Sequence, residues 1–278
     1  MCQDHMQMTL KTFAAYTSVA SNLSTVMVTV DEGYKVISGG GQLIDGDILM
    51  VESYPLDEMT WVAKFKNHGT DLTKVGNIAA FSIGLYDPDN LWDVMVTSME
   101  SSSSDGPSET AGLPDGYQIT GGGARVSTPD SGYGLVLFES YPSSDSGWTA
   151  TANQHWYAGT GRVTAYAIGI KHTLECLVPT CSISSSTSSA ASHPATTVTL
   201  ADDMIVGGGA AASLPTDGSN LAGNILVITA PYLETAAGQG TPMGGKQWTV
   251  GAKDHKVGQT GTVTAYTIQC AASEINYL

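Results

Sequence analysis

Basic side chains are scarce in this chain. Only two arginines, Arg125 and Arg162, occur in 278 residues, and Lys plus Arg number 11 against 26 acidic residues, a formal net charge of −15. Nucleic-acid binding draws on clustered Lys and Arg that displace phosphate counterions, so that function class is excluded. Attraction to anionic lipid is disfavoured on the same ground. Long apolar runs are also missing, since nothing approaches the roughly 18 consecutive apolar residues of a membrane helix. Met1–Leu10 (MCQDHMQMTL) is too polar for the apolar stretch of a secretory signal, so the expectation is a chain whose leader has been removed or that never had one. Charged residues make up only 13 % of the total, about half the usual quarter. With abundant Gly, Ser and Thr, that profile fits extracellular β-proteins better than cytosolic enzymes.

What the chain has is repetition. Trp61–His68 reads WVAKFKNH, Trp148–His155 reads WTATANQH and Trp248–His255 reads WTVGAKDH, each with Trp and His seven apart (68−61, 155−148, 255−248). Each copy follows an apolar stretch ending in Pro: ILMVESYP to Pro55, LVLFESYP to Pro142, ILVITAP to Pro231. Each stretch follows a glycine triplet, at Gly39–Gly41, Gly121–Gly123 and Gly207–Gly209. Each unit closes on an alternating segment: IAAFSIGL from Ile78, VTAYAIGI from Val163, VTAYTIQC from Val263. Four landmarks in one order, three times, imply a β-rich unit in triplicate. Period-2 alternation with β-branched and aromatic enrichment, broken by Asp-Gly and Pro turns, predicts strands rather than helices.

The predicted organisation is an N-terminal segment at 1–24, repeats at 25–90, 91–175 and 196–278, and a Ser-rich linker at 176–195. A second Ser-rich stretch, from Ser101 to Pro114, is read as an inserted loop. Thr12–Ala20 (TFAAYTSVA) reads equally as a spare closing strand, with Tyr16 in the place of Phe81, Tyr166 and Tyr266, or as an amphipathic helix. A spare strand would need a sheet edge, in this molecule or a neighbour.

Four cysteines, Cys2, Cys176, Cys181 and Cys270, suit no zinc site, because the spacing is wrong and no His clusters beside them. The Pro-containing turn between Cys176 and Cys181 suggests a disulfide there, with a Cys2–Cys270 pair as the complement. Asn22-Leu23-Ser24 is a glycosylation acceptor triplet. Trp61, Trp148 and Trp248 read either as core or as platforms for stacking on sugar rings. His68, His155 and His255 read as loop-bonding residues, as ligand contacts, or as an axial cluster for a metal or anion that would respond to pH. The glycine triplets lack the Lys-Ser/Thr and helix of a phosphate loop and mark close backbone approach instead. No Gly-x-Ser-x-Gly elbow is present, and Glu52 and Glu139 match each other while unit three is read with Thr229 in that place, so no catalytic residues, metal or cofactor are assigned.

The ordered pattern GGGA, SYP, WTA…KDH, VTAYAIGI resembles an uncharacterised repeat of secreted bacterial and fungal proteins. That resemblance implies a repeat type and no activity. The expected fold is all-β: three homologous sandwich-like or barrel-like repeats in a pseudo-threefold arrangement. The expected function is a secreted, non-catalytic, lectin-like protein whose loop sites bind carbohydrate or a cell surface by multivalency. Alternatives are a self-assembling filament or surface-coat subunit that donates a β-strand as a homo-oligomer, and a β-rich insecticidal or pore-forming toxin.

Overall fold

The computed structural model describes residues 7–19, 23–45, 48–67, 76–127, 134–155, 159–174, 177–200, 204–213, 225–229, 246–254, 258–271 and 274–277. Among them every extended regular element is a strand, and there is no helix. The first six are β1 (Gln7–Val19), β2 (Leu23–Thr29), β3 (Tyr34–Asp45), β4 (Ile48–Pro55), β5 (Thr60–Asn67) and β6 (Gly76–Tyr86). The next six are β7 (Trp92–Glu100), β8 (Ser108–Gly112), β9 (Gln118–Ser127), β10 (Gly134–Ser144), β11 (Gly147–His155) and β12 (Arg162–His172). The remainder are β13 (Thr180–Thr187), β14 (Ala195–Thr199), β15 (Ile205–Ala212), β16 (Ile225–Thr229), β17 (Gln247–Lys253), β18 (Val263–Ala271) and β19 (Glu274–Tyr277).

Local pattern and burial agree. In β2 Val26 and Val28 point inward while Met27 is exposed, and β17 buries Trp248, Val250 and Ala252 on one face. The strands that carry the glycine triplets are buried on both faces, because they run between layers.

Pairing follows one order along the chain. β1, β7 and β13 each pair antiparallel with β6, β12 and β18, and those pair in turn with β3, β9 and β15. β2, β8 and β14 pair with β5, β11 and β17, which pair with β4, β10 and β16. These three-stranded sets then join edge to edge. β4 meets β9 through Glu52↔Arg125 and Ser53↔Ala124, and β10 meets β15 through Glu139↔Ala211 and Ser140↔Ala210. The results are two six-stranded sheets, β2-β5-β4-β9-β12-β7 and β8-β11-β10-β15-β18-β13, beside a four-stranded β19-β1-β6-β3 and a three-stranded β14-β17-β16.

Several expectations change. Of the two readings of Thr12–Ala20, helix gives way to strand: as far as Val19 it lies in β1, which takes a sheet edge in this molecule by pairing with β6 from Leu10↔Leu85 to Val19↔Gly76, while β19 meets β1 over Gln7–Leu10. The Ser-rich segment at 176–195 is no bare linker, because residues 180–187 form β13 along β18. Part of the other Ser-rich stretch forms β8 against β11. In both cases the serines fall on an edge strand, where a small polar side chain faces water while the backbone completes the ladder.

The expected Cys176–Cys181 bond is corrected. Cys181 is bonded to Cys270, with a Cα separation of 3.9 Å, which also displaces the Cys2–Cys270 pairing. The two residues stand opposite each other on β13 and β18. Proximity across the sheet, 89 residues apart in sequence, overrides proximity along the chain. Cys2, Cys176 and Asn22 lie outside the described residues.

Candidate functional site

The three repeated indoles are core, not sugar platforms. Trp61, Trp148 and Trp248 are 0, 1 and 0 % exposed. Trp61 Nε1 donates to Ser53 Oγ at 3.1 Å, and Trp148 Nε1 donates to Ser140 Oγ at 2.9 Å. The register position of those serines is held in unit three by Ile228, opposite Val250, and Trp248 Nε1 has no acceptor among the described residues. Against each indole lies a glycine. A methyl built on Gly39, Gly122 or Gly208 would overlap the ring of Trp61, Trp148 or Trp248 and the carbonyl of Phe81, Tyr166 or Tyr266.

The ladders also correct the alignment of the triplets. Gly40, Gly123 and Gly209 pair with Phe81, Tyr166 and Tyr266, so Ser38-Gly39-Gly40 is the unit-one counterpart of Gly121–Gly123 and Gly207–Gly209. Ser38, Gly121 and Gly207 converge. A Cβ on Gly121 would lie 2.8 Å from the Ser38 Cα, and one on Gly207 would lie 2.5 Å from Ser38 Oγ. Likewise Val227, not Thr229, occupies the place of Glu52 and Glu139, since it pairs with Gly251 as they pair with Lys64 and Thr151.

His68 and His255 lie outside the described residues, and His155 ends β11 opposite Gly134. Among the described residues no group of three or more His, Cys, Asp or Glu is placed to hold a metal.

Charge gathers at the first unit junction. Where β4 and β5 meet β9, Glu52, Lys64, Lys66 and Arg125 line a solvent-open recess of about 230 Å³. Strand geometry puts them there: Glu52 stands directly opposite Lys64 on one side and Arg125 on the other. Lys64 Nζ lies 3.2 Å from Glu52 Oε1, and Arg125 Nε lies 4.0 Å from the same oxygen. Lys66 is the unusual member. It is 7 % exposed, and its Nζ donates to the Leu135 carbonyl of β10 at 2.9 Å. Among the described residues no carboxylate lies within 4 Å of it. Burial disfavours the ammonium form and pulls its pKa down to about 8. Beside Arg125 the Tyr54 and Tyr166 rings stack at 5.0 Å and 22°, and the Arg125 guanidinium lies 6.0 Å from the Tyr54 centroid. Burial first, and then the Glu52 charge, push Tyr54 up; burial also pushes Tyr166 up. Both phenols are therefore neutral donors at physiological pH.

Sequence reasoning passed over this cluster because its members come from three strands in two units. The signal was present in part: Arg125 is one of two arginines, and Lys64 and Lys66 share a strand. What could not be read was that Arg125 faces Glu52.

The fold and this recess define an all-β protein with a charged cleft where β4 and β5 meet β9. No family model matches the chain, and no curated protein matches it. Among solved structures it is similar to a protein of an archaeal virus described by a triple jelly roll fold and turret assembly, at 11 % identity over 95 % of this chain and 84 % of that one, with a TM-score of 0.20. A score at that level carries no argument about shared fold or function.

Proposed function

We propose that the chain is a secreted, non-catalytic recognition protein, lectin-like in the sense that a rigid β-scaffold presents a polar cleft to carbohydrate on a cell surface. The recess at the β4–β9 junction is the observation that carries this reading. It is open to solvent, lined by charged side chains, and fixed by ladders on both sides rather than by a mobile loop. Lys66 is held by a backbone carbonyl as a hydrogen-bond donor, which suits binding rather than nucleophilic attack. The Cys181–Cys270 bond is compatible with an oxidising compartment.

The architecture belongs to the same proposal. Three homologous units, beginning at β1, β7 and β13, follow one another around a pseudo-threefold axis near Ser38, Gly121 and Gly207. The third junction then brings β16 beside β3. The filament alternative drew on a spare strand, and β1 is already paired with β6 of the same chain from Leu10 to Val19.

The test is a glycan array probed with labelled protein and with an Arg125→Gln variant of unchanged circular dichroism. Glycan binding lost in the variant supports the reading. A correctly folded native chain that binds no glycan at all overturns it.

A further inference from the structure

Three of the eleven basic residues of a strongly acidic chain converge on one recess, facing a single carboxylate among the described residues. The scaffold does not require them. At the β10–β15 junction the same register positions hold Thr151, Asn153 and Ala211, with Glu139 in the place of Glu52. Around β16 and β3 they hold Gly251, Lys253 and Gln42. Identical backbone pairing is therefore achieved at the second junction without any cation, and the cations at the first are an addition to it.

Two of the three are accounted for within the chain, since Lys64 and Arg125 flank Glu52. Lys66 is not. An ammonium buried to this degree with only a carbonyl as its partner among the described residues is costly, and a costly buried charge is retained where an incoming ligand completes it. Resting on the recognition reading above, we infer that the recess between β4, β5 and β9 binds the carboxylate of an acidic sugar, with Lys66 and Arg125 as its anchors.

Chemistry favours this class in three ways. A guanidinium offers two parallel donors that match a carboxylate, while an ammonium adds an undirected charge. The recess, at about 230 Å³, is smaller than the ~300–1,000 Å³ of drug-sized sites and suits a single sugar-sized residue whose chain continues into solvent. The phenols of Tyr54 and Tyr166 flank Arg125 and supply neutral donors for ligand hydroxyls.

Protons are linked to this binding. Among the described residues, the charged groups that line the recess with Lys66 are Glu52 from β4, Lys64 from its own strand and Arg125 from β9, and the Leu135 carbonyl of β10 accepts from its Nζ. A sugar carboxylate is already ionised at neutral pH, and Lys66 loses its charge in the slightly alkaline range. Affinity then holds level below its pKa and falls by up to tenfold per pH unit above about 8.

Titration calorimetry of the intact chain with glucuronate, N-acetylneuraminate, glucose, acetate and inorganic phosphate tests the inference, alongside Lys66→Met, Arg125→Gln and a Lys171→Met control on β12. The sugar acids should bind, glucose should not, and each recess variant should weaken sugar-acid binding at least tenfold while the control does not. Lys66→Met should also abolish the alkaline loss of affinity. A folded Lys66→Met variant with unchanged sugar-acid binding overturns the inference, as does failure of every acid to bind. Neutral glycans bound on the array independently of Lys66 would overturn the carboxylate assignment and leave the recognition reading standing. Acetate and phosphate binding as tightly as the sugar acids, with no glycan bound, would overturn both.

Discussion

Replacing Gly122 with Ala adds one methyl at a place where three neighbours cannot retreat. The new carbon would overlap Trp148 at Cδ2 and Cγ and the Tyr166 carbonyl oxygen. Trp148 is itself fixed by its bond to Ser140 at 2.9 Å, and the carbonyl belongs to the β9–β12 ladder. Overpacking a closed core costs about 1–3 kcal/mol, and backbone neighbours place this case at the upper end. Ala restricts the unfolded chain relative to Gly, which offsets roughly 0.4–1 kcal/mol. The net loss is about 2 kcal/mol or more, read as a fall in Tm of roughly 4–8 °C for a chain of this size. Gly112→Ala is the matched control, because nothing lies within 4 Å of a Cβ built there. It should leave Tm unchanged or raise it by a few degrees. Differential scanning calorimetry of the two variants settles the matter. A Gly122→Ala protein melting within a degree of the parent would refute the packing argument.

Further outcomes follow from particular contacts. Trp148→Phe should be about 1 kcal/mol more damaging than Trp248→Phe in urea titrations, because only the first abandons a hydrogen bond to a serine. Cys270→Ser should cost about 2–4 kcal/mol, read as a lower urea midpoint and below the ~4.6 kcal/mol that loop-closure entropy assigns at most to a sequence separation of 89. Lys66→Met should raise stability at pH 7. Below about pH 8 the folded protein carries this ammonium at a cost, and between about 8 and 10.5 the folded form has shed a proton that the unfolded chain retains. Stability attributable to Lys66 therefore rises across that window, by an amount on the order of 3 kcal/mol, and the parent-minus-variant difference in urea midpoints should shrink accordingly. A difference flat in pH would contradict the burial of its Nζ.

Alternating apolar residues and turn glycines made the strands legible, and β4, β5, β11 and β12 lie close to where the pattern puts them. The glycine triplets were also legible as places of close approach. Three things were hidden, each for a physical reason. The triplets align by ladder rather than by letter, because Ser38 can stand where Gly121 and Gly207 stand while Gly41 pairs with Ala80. Ser-rich segments became strands because an edge strand is specified by its neighbour's backbone more than by its own side chains. Disulfide partners and the Glu52–Arg125 contact depend on which strands lie side by side, and a one-dimensional pattern is silent on strand order. The aromatic reading went astray for a related cause: a Trp on a half-buried sheet reads alike from either side until the opposing layer is known.

Sharing of sheets between units, through Glu52↔Arg125 and Glu139↔Ala211, has an evolutionary corollary. One copy cut out of the chain would own two incomplete half-sheets, each with a naked rim ready to accept a strand. Such a fragment could satisfy its rims only by joining others of its kind. If the three units of the proposed architecture descend from one copy, such a copy would have needed partners of its own kind, and joining three in one polypeptide would have replaced encounters between molecules with connections along the chain. On the same footing, the β4–β9 boundary carries charges that the β10–β15 boundary lacks.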